Sequence, residues 1–242
     1  MILAVDAGNS RIKWGCFAAG EWLNEGAIAH GDIDSLRAAL GNVTAPRKII
    51  ISNVAGVLVQ QRLSTALEQF SVPPHWIASE KACAGVTNGY AQPSQLGSDR
   101  WAALIGARRE SNGPVLVVNA GTALTIDAMN PAGDFLGGLI VPGIRLMMRS
   151  LTTGTAHAHA AHGEFAALPT NTLDAIYSGA LNAALGAITR MRDALAARTG
   201  AEPINIVTGG AAPALIAHLP PPTREVPRLV LQGLVTIAET MD

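Results

Sequence analysis

Charge and aromatic rings are scarce in this chain. Asp, Glu, Lys and Arg make up only 14% of the 242 residues, against a typical ~25%. The net charge is −1, with a pI near 6.6. No basic patch stands out and no aromatics interleave with basic residues, so nucleic-acid binding has no electrostatic support. The two cysteines, Cys16 and Cys83, fit no metal spacing. One disulfide is open to them, but buried free thiols in a reducing cytosol are the better reading. His157, His159 and His162 lack Cys or acidic companions and match no standard zinc pattern. No apolar run approaches the ~20 residues of a membrane span. Ile2–Val5 is too short, and too soon followed by Asp6, to be a signal peptide. These absences lead us to expect a soluble, cytoplasmic protein without nucleic-acid or membrane partners.

What the chain has is apolar content, 49% of it, and an internal echo. Ile2-Leu-Ala-Val-Asp-Ala-Gly-Asn-Ser10 returns as Val115-Leu-Val-Val-Asn-Ala-Gly-Thr-Ala123, with Asp6 falling on Asn119 and Gly8 on Gly121. At the same offset Gly20-Glu-Trp-Leu23 meets Gly133-Asp-Phe-Leu136. Each copy reads as an apolar strand, a tight Asx-x-Gly turn, a second strand and a Gly-centred hairpin. A duplication of half the chain implies two similar α/β domains, each offering a Gly turn to a shared cleft. Such turns let backbone N–H groups approach an anion. Ser111-Asn-Gly-Pro114 marks the boundary, giving domains 1–112 and 113–242. A large core under a thinly charged surface also points to an oligomer.

Strands are predicted near 2–6, 11–18, 22–29, 48–53, 76–78, 115–119, 123–129, 134–141 and 204–208. Helices are predicted over 34–40, 57–70, 99–110, 144–151, 171–199, 211–219 and 229–240. The stretch Ala84–Gly97 is rich in Gly, Pro, Asn and Ser and reads as loop. Pro220-Pro-Pro222 reads as a rigid spacer.

Three constellations could carry chemistry. In Asp6-Ala-Gly-Asn-Ser-Arg-Ile-Lys13 a carboxylate ends a buried strand ahead of a Gly turn. Asp6 there suits Mg²⁺, directly or through water. The Gly8–Ser10 backbone suits phosphate oxygens, and Lys13 can reach them as a point charge. A plain Asx hairpin, with Asp6 accepting local N–H bonds, would account for the turn alone. In Leu96-Gly-Ser-Asp-Arg-Trp101 a loop becomes a helix. Ser98 or Asp99 could simply cap it. A carboxylate at a helix mouth can also accept a hydroxyl proton, and Arg100 could grip a carboxylate substrate. Val207-Thr-Gly-Gly210 fits close backbone approach to adenine or ribose, or merely a strand–helix turn.

Together these residues resemble the type III pantothenate kinases of the actin, sugar-kinase and heat-shock-chaperone ATPase superfamily. The likeness spans essentially the whole chain. It rests on Asp6–Lys13, Gly97–Arg100, Ala120–Ala123, Gly137–Gly143, Pro169–Thr172 with Gly179, and Thr208–Gly210, in that order. It implies two duplicated ribonuclease-H-like domains flanking a nucleotide cleft, in a cytoplasmic homodimer. The implied reaction is ATP-dependent phosphorylation of pantothenate to 4'-phosphopantothenate, the first step of coenzyme A synthesis. Mg²⁺ and a monovalent cation, K⁺ or NH₄⁺, are implied as cofactors. By resemblance Asp6, Ala7, Gly8, Asn9, Ser10, Arg11, Ile12, Lys13 and Thr122 match the ATP site, and Asp99 the general base. Tyr90, Gly97, Ser98, Asp99, Arg100 and Thr172 match the pantothenate site. One departure stands out: the family usually has Asp at the start of the second Gly turn, where the monovalent cation binds, and this chain has Asn119.

Two rival readings remain open to the sequence. One is another small-molecule kinase or phosphatase of the same fold, such as a sugar kinase. The other is a non-catalytic nucleotide-binding or regulatory protein that kept the fold.

Overall fold

The computed structural model describes every residue except Asn42, Thr44, residues 154–162 and Asp242. His157, His159 and His162 therefore lie outside the described residues. In chain order the elements are β1 (Ile2–Ala7), β2 (Arg11–Ala18), β3 (Glu21–Ala29), α1 (Leu36–Ala39), β4 (Lys48–Asn53), α2 (Val57–Leu67), β5 (Pro74–Trp76), β6 (Ala82–Cys83), β7 (Val86–Asn88) and α3 (Ser98–Glu110). There follow β8 (Val115–Ala120), β9 (Ala123–Met129), β10 (Asp134–Pro142), α4 (Ile144–Thr152), α5 (Thr172–Thr199), β11 (Ile204–Thr208), α6 (Ala212–Ile216), β12 (Thr223–Glu225) and α7 (Leu229–Glu239).

The chain divides into two compact units, Met1–Glu110 with Arg228–Asp242, and Ser111–Pro227. The expected split at 112/113 is thus corrected at its far end, because α7 returns to the first unit. Its burial explains why. Leu229, Val230, Leu231, Leu234, Val235, Ile237 and Ala238 are all buried, and a helix so apolar needs cover on more than one side. It meets α3 backbone to backbone: a Cβ on Gly106 would collide with Leu229 O, and one on Gly233 with Ala102 O.

The first unit's sheet runs β3-β2-β1-β4-β5. β1, β2 and β3 pair antiparallel, while β4 and β5 join parallel to β1. Side chains alternate across it. Leu3, Val5 and Ala7 of β1 and Ile49 and Ile51 of β4 enter one core, with Leu36 of α1, Leu40 just after it, and Val59, Leu63 and Leu67 of α2. The even-numbered positions of both strands lie on the other face.

The second unit repeats this plan. β8 takes the place of β1, β9 and β10 follow antiparallel, and β11 and β12 follow parallel. Its core gathers Leu116, Val118, Leu124 and Ile126 under Leu181, Ala184 and Ile188 of α5. Asn171 caps α5 by accepting from Asp174 N at 3.0 Å, and Gly200 ends it in the left-handed region at φ 70°. The three-proline stretch leads into β12, a strand not expected from the sequence. Ala84–Gly97, expected as loop, contributes β7 to a small hairpin with β6.

Candidate active site

Asp6 is the fifth residue of β1 and stands opposite Lys13 in antiparallel register and Ser52 in parallel register. Strand neighbours in register share a face. Lys13, Asp6 and Ser52 therefore form a polar row at the carboxyl end of β1 and β4, where open α/β sheets place their ligands. The row continues onto a helix. The Ser52 and Ser98 hydroxyls meet at 2.9 Å, both side chains buried, and Asp99 follows in the first turn of α3.

Electrostatics single out Asp6. Burial first, and then the nearby Asp99 carboxylate, push its pKa up to about 7, against the pull of Lys13. Its Oδ1 is buried with no hydrogen-bond partner among the described residues. A plain Asx hairpin would have filled that acceptor; here the turn closes through Gly8 N donating to Arg11 O at 3.1 Å. An unpaired carboxylate oxygen, beside a second carboxylate that raises its pKa, is a donor set suited to a hard cation, which Mg²⁺ sites satisfy with one or two carboxylates plus phosphate oxygens. Burial also raises the Asp99 pKa, opposed by the backbone N–H and charge of Arg100. Asp99 Oδ1 accepts from Arg100 N at 2.8 Å. Gly97 has a steric reason to be glycine: a Cβ there would lie 2.7 Å from Asp99 Oδ1.

The remaining expected residues fall into place unevenly. Asn9, Ser10 and Arg11 are exposed at the first turn, whereas Ala7 and Ile12 are fully buried. Those two side chains are core, so their share in an ATP site is limited to backbone. Arg100, the expected grip on a carboxylate substrate, is 4% exposed. Its Nη1 donates to Tyr90 Oη at 3.2 Å, with the guanidinium 5.8 Å from that ring's centre. Arg100 thereby joins Tyr90, the other side chain expected at the acceptor site, in one contact. Tyr90 is also held by its N–H donating to Asn88 Oδ1 at 3.0 Å, and Asn88 is wholly buried. Ser98 spends its hydroxyl on Ser52, not on capping its own helix.

Asn119, Thr122 and Thr172 belong to the second unit. Asn119 stands in register with Thr125 on β9 and Thr208 on β11. Thr122 O accepts from Gly143 N at 2.9 Å, which sets the start of α4 on this second turn. Gly209, at φ 100°, passes so close to β8 that a Cβ would lie 2.5 Å from Ala120 O. Thr172 is exposed at the start of α5. The copies differ in charge: where the first pairs Asp6 with Lys13, the second pairs Asn119 with Thr125. Sequence reading missed Ser52 and Asn88, because isolated polar residues beside apolar runs give no spacing signal.

A doubled ribonuclease-H-like frame with a Gly turn in each copy defines an α/β protein of the actin-like and sugar-kinase ATPase fold. Two solved structures share it. One is a Campylobacter jejuni protein described as a Baf family transcriptional activator (TM-score 0.65, 21% identity, 98% of each chain covered). The other is described as a 2-dehydro-3-deoxygalactonokinase from Sinorhizobium meliloti (TM-score 0.61, 15% identity, 100% and 99% covered). At those identities the likeness is one of fold. A family model for type III pantothenate kinase matches residues 2–194. The type III pantothenate kinase of Nitrosospira multiformis is 44% identical over 238 residues, 98% of this chain and 91% of that one. The chain belongs to the type III pantothenate kinase family.

Proposed function

We propose that the protein transfers the ATP γ-phosphate to the primary hydroxyl of pantothenate, yielding 4'-phosphopantothenate for coenzyme A synthesis. The observation that carries the mechanism is the row Lys13–Asp6–Ser52, tied through Ser98 to Asp99. Phosphoryl transfer needs positioning and charge neutralisation more than covalent chemistry. Lys13 and the exposed Asn9–Ser10 turn hold phosphate oxygens. Asp6 and, through water, Asp99 would hold Mg²⁺, which when bound draws charge from the transferring phosphoryl group. Asp99 accepts the hydroxyl proton as the new O–P bond forms, and its burial-raised pKa suits that task. Tyr90, fixed by Arg100 and Asn88, lines the acceptor side. Thr122 and Thr208–Gly210 support nucleotide binding, and Thr172 supports pantothenate.

Asn119 keeps an oxygen at the family's monovalent-cation position but brings no charge, so K⁺ or NH₄⁺ would be held weakly. The enzyme works as a cytoplasmic homodimer. Free thiols at Cys16 and Cys83 suit a reducing compartment. Among the described residues no helix is long and apolar enough to cross a membrane. The test is ADP release from ATP with pantothenate, with a panel of sugars, and with no acceptor. Turnover confined to pantothenate supports the proposal, and equal turnover with a sugar overturns it.

A further inference from the structure

We infer that Ser52 is a positioning residue for phosphoryl transfer, acting through Ser98 to set Asp99 against Asp6. The inference rests on the kinase reading above. Ser52 is 0% exposed and stands directly opposite Asp6 on the neighbouring parallel strand. Its hydroxyl meets Ser98 Oγ at 2.9 Å, joining the carboxyl end of β4 to the first turn of α3.

Stability alone does not call for this pair. Two buried hydroxyls that satisfy only each other can be replaced by apolar groups at nearly no cost. A serine at a helix mouth ordinarily serves its own helix as a cap; Ser98 turns instead to the sheet. The neighbouring contacts reinforce the same junction. Ser79, itself buried, donates to Leu96 O at 2.7 Å just before the helix, and Gly97 leaves room for the Asp99 carboxylate. The Ser52–Ser98 bond thus ties the strand beside Asp6 directly to the residue before Asp99. A shift of the helix mouth along β4 would move Asp99 relative to the acceptor hydroxyl while leaving the Lys13–Asp6 pair on β1 and β2 intact. Rate is steeply sensitive to such misplacement, at about 10²-fold per ångström.

The test is steady-state kinetics of wild type, Ser52→Ala, Ser52→Cys, Ser98→Ala and the Ser52→Ala/Ser98→Ala pair. Alanine removes the hydroxyl and leaves a small void, whereas cysteine keeps the site filled with a larger atom that bonds poorly, so a loss shared by both reports the hydrogen bond rather than packing. Both Ser52 variants should lose about 10-fold in kcat with KM for ATP changed less than about twofold. In the Ser98→Ala background, Ser52→Ala should change kcat less than about twofold, because the bond is already gone. The inference is overturned by wild-type kcat in Ser52→Cys, by KM for ATP rising as kcat falls, or by an undiminished effect in the Ser98→Ala background. Wild type failing to phosphorylate pantothenate overturns the kinase reading itself, and is seen in the same assay before any variant is compared.

Discussion

Asp6 combines burial, a like charge in Asp99 and an unpaired Oδ1, and these set opposing demands on stability and catalysis. Its folded pKa of about 7 lies above the ordinary carboxylate value of 3.8. The folded state therefore keeps a proton that the unfolded state has released. The resulting stability is fully present below about pH 4 and is lost as pH rises toward 7. In metal-free buffer, Asp6→Asn should remove this slope. Between pH 5 and pH 8 the variant's Tm should fall less than wild type's by roughly 5–10 °C, about 2.5 kcal/mol for a chain of this size. Parallel Tm–pH curves would contradict the assignment. Asn119 poses the converse case. Contact with a carboxylate would add about 4 kcal/mol of attraction at an effective dielectric near 20, before desolvation offsets much of it. Wild type should need high K⁺ or none, and Asn119→Asp should show tighter K⁺ activation. Equal half-activation concentrations, or tighter activation in wild type, would refute this.

Among the elements, α3 and α7 carry the greatest constraint, since Gly106 and Gly233 let their backbones touch. Gly233→Ala forces the helices apart, and overpacking of this kind costs about 1–3 kcal/mol. Because Asp99 rides on the first turn of α3, a drop in Tm should come with a drop in kcat. Normal Tm and kcat in this variant would show that the crossing tolerates a methyl group. Much of this level could be read from the chain. KIIISN is a buried parallel strand because a short β-branched run ended by Asn has few other uses, and Asn171 and Gly200 bound α5 by ordinary capping chemistry. The short strands β5, β6, β7 and β12 were displaced or missed, since two or three residues carry no period. The Ser52–Ser98 bond joins positions 46 apart in sequence and the Arg100–Tyr90 bond positions ten apart; neither contact leaves a local pattern.

At the scale of the whole molecule, the duplication was legible because Asp6 and Asn119, Gly8 and Gly121, and Gly20 and Gly133 share one offset. The return of α7 to the first unit was not, because an apolar helix says what it must bury against only in kind. That return has a consequence for fragments. Residues 1–110 lack α7 and should not unfold cooperatively unless a peptide of residues 228–242 is added; circular dichroism melts with and without the peptide check this. The central claim concerns the chemistry. It is tested most directly by mass spectrometry of the product formed from ATP and pantothenate by wild type and Asp99→Asn, with ATP binding measured on both proteins. Wild type should yield 4'-phosphopantothenate, and the variant should yield it about 10²–10⁴-fold more slowly with ATP affinity nearly unchanged. A variant keeping more than about half of wild-type kcat would contradict the role given to Asp99, and wild type forming no phosphopantothenate would contradict the account as a whole.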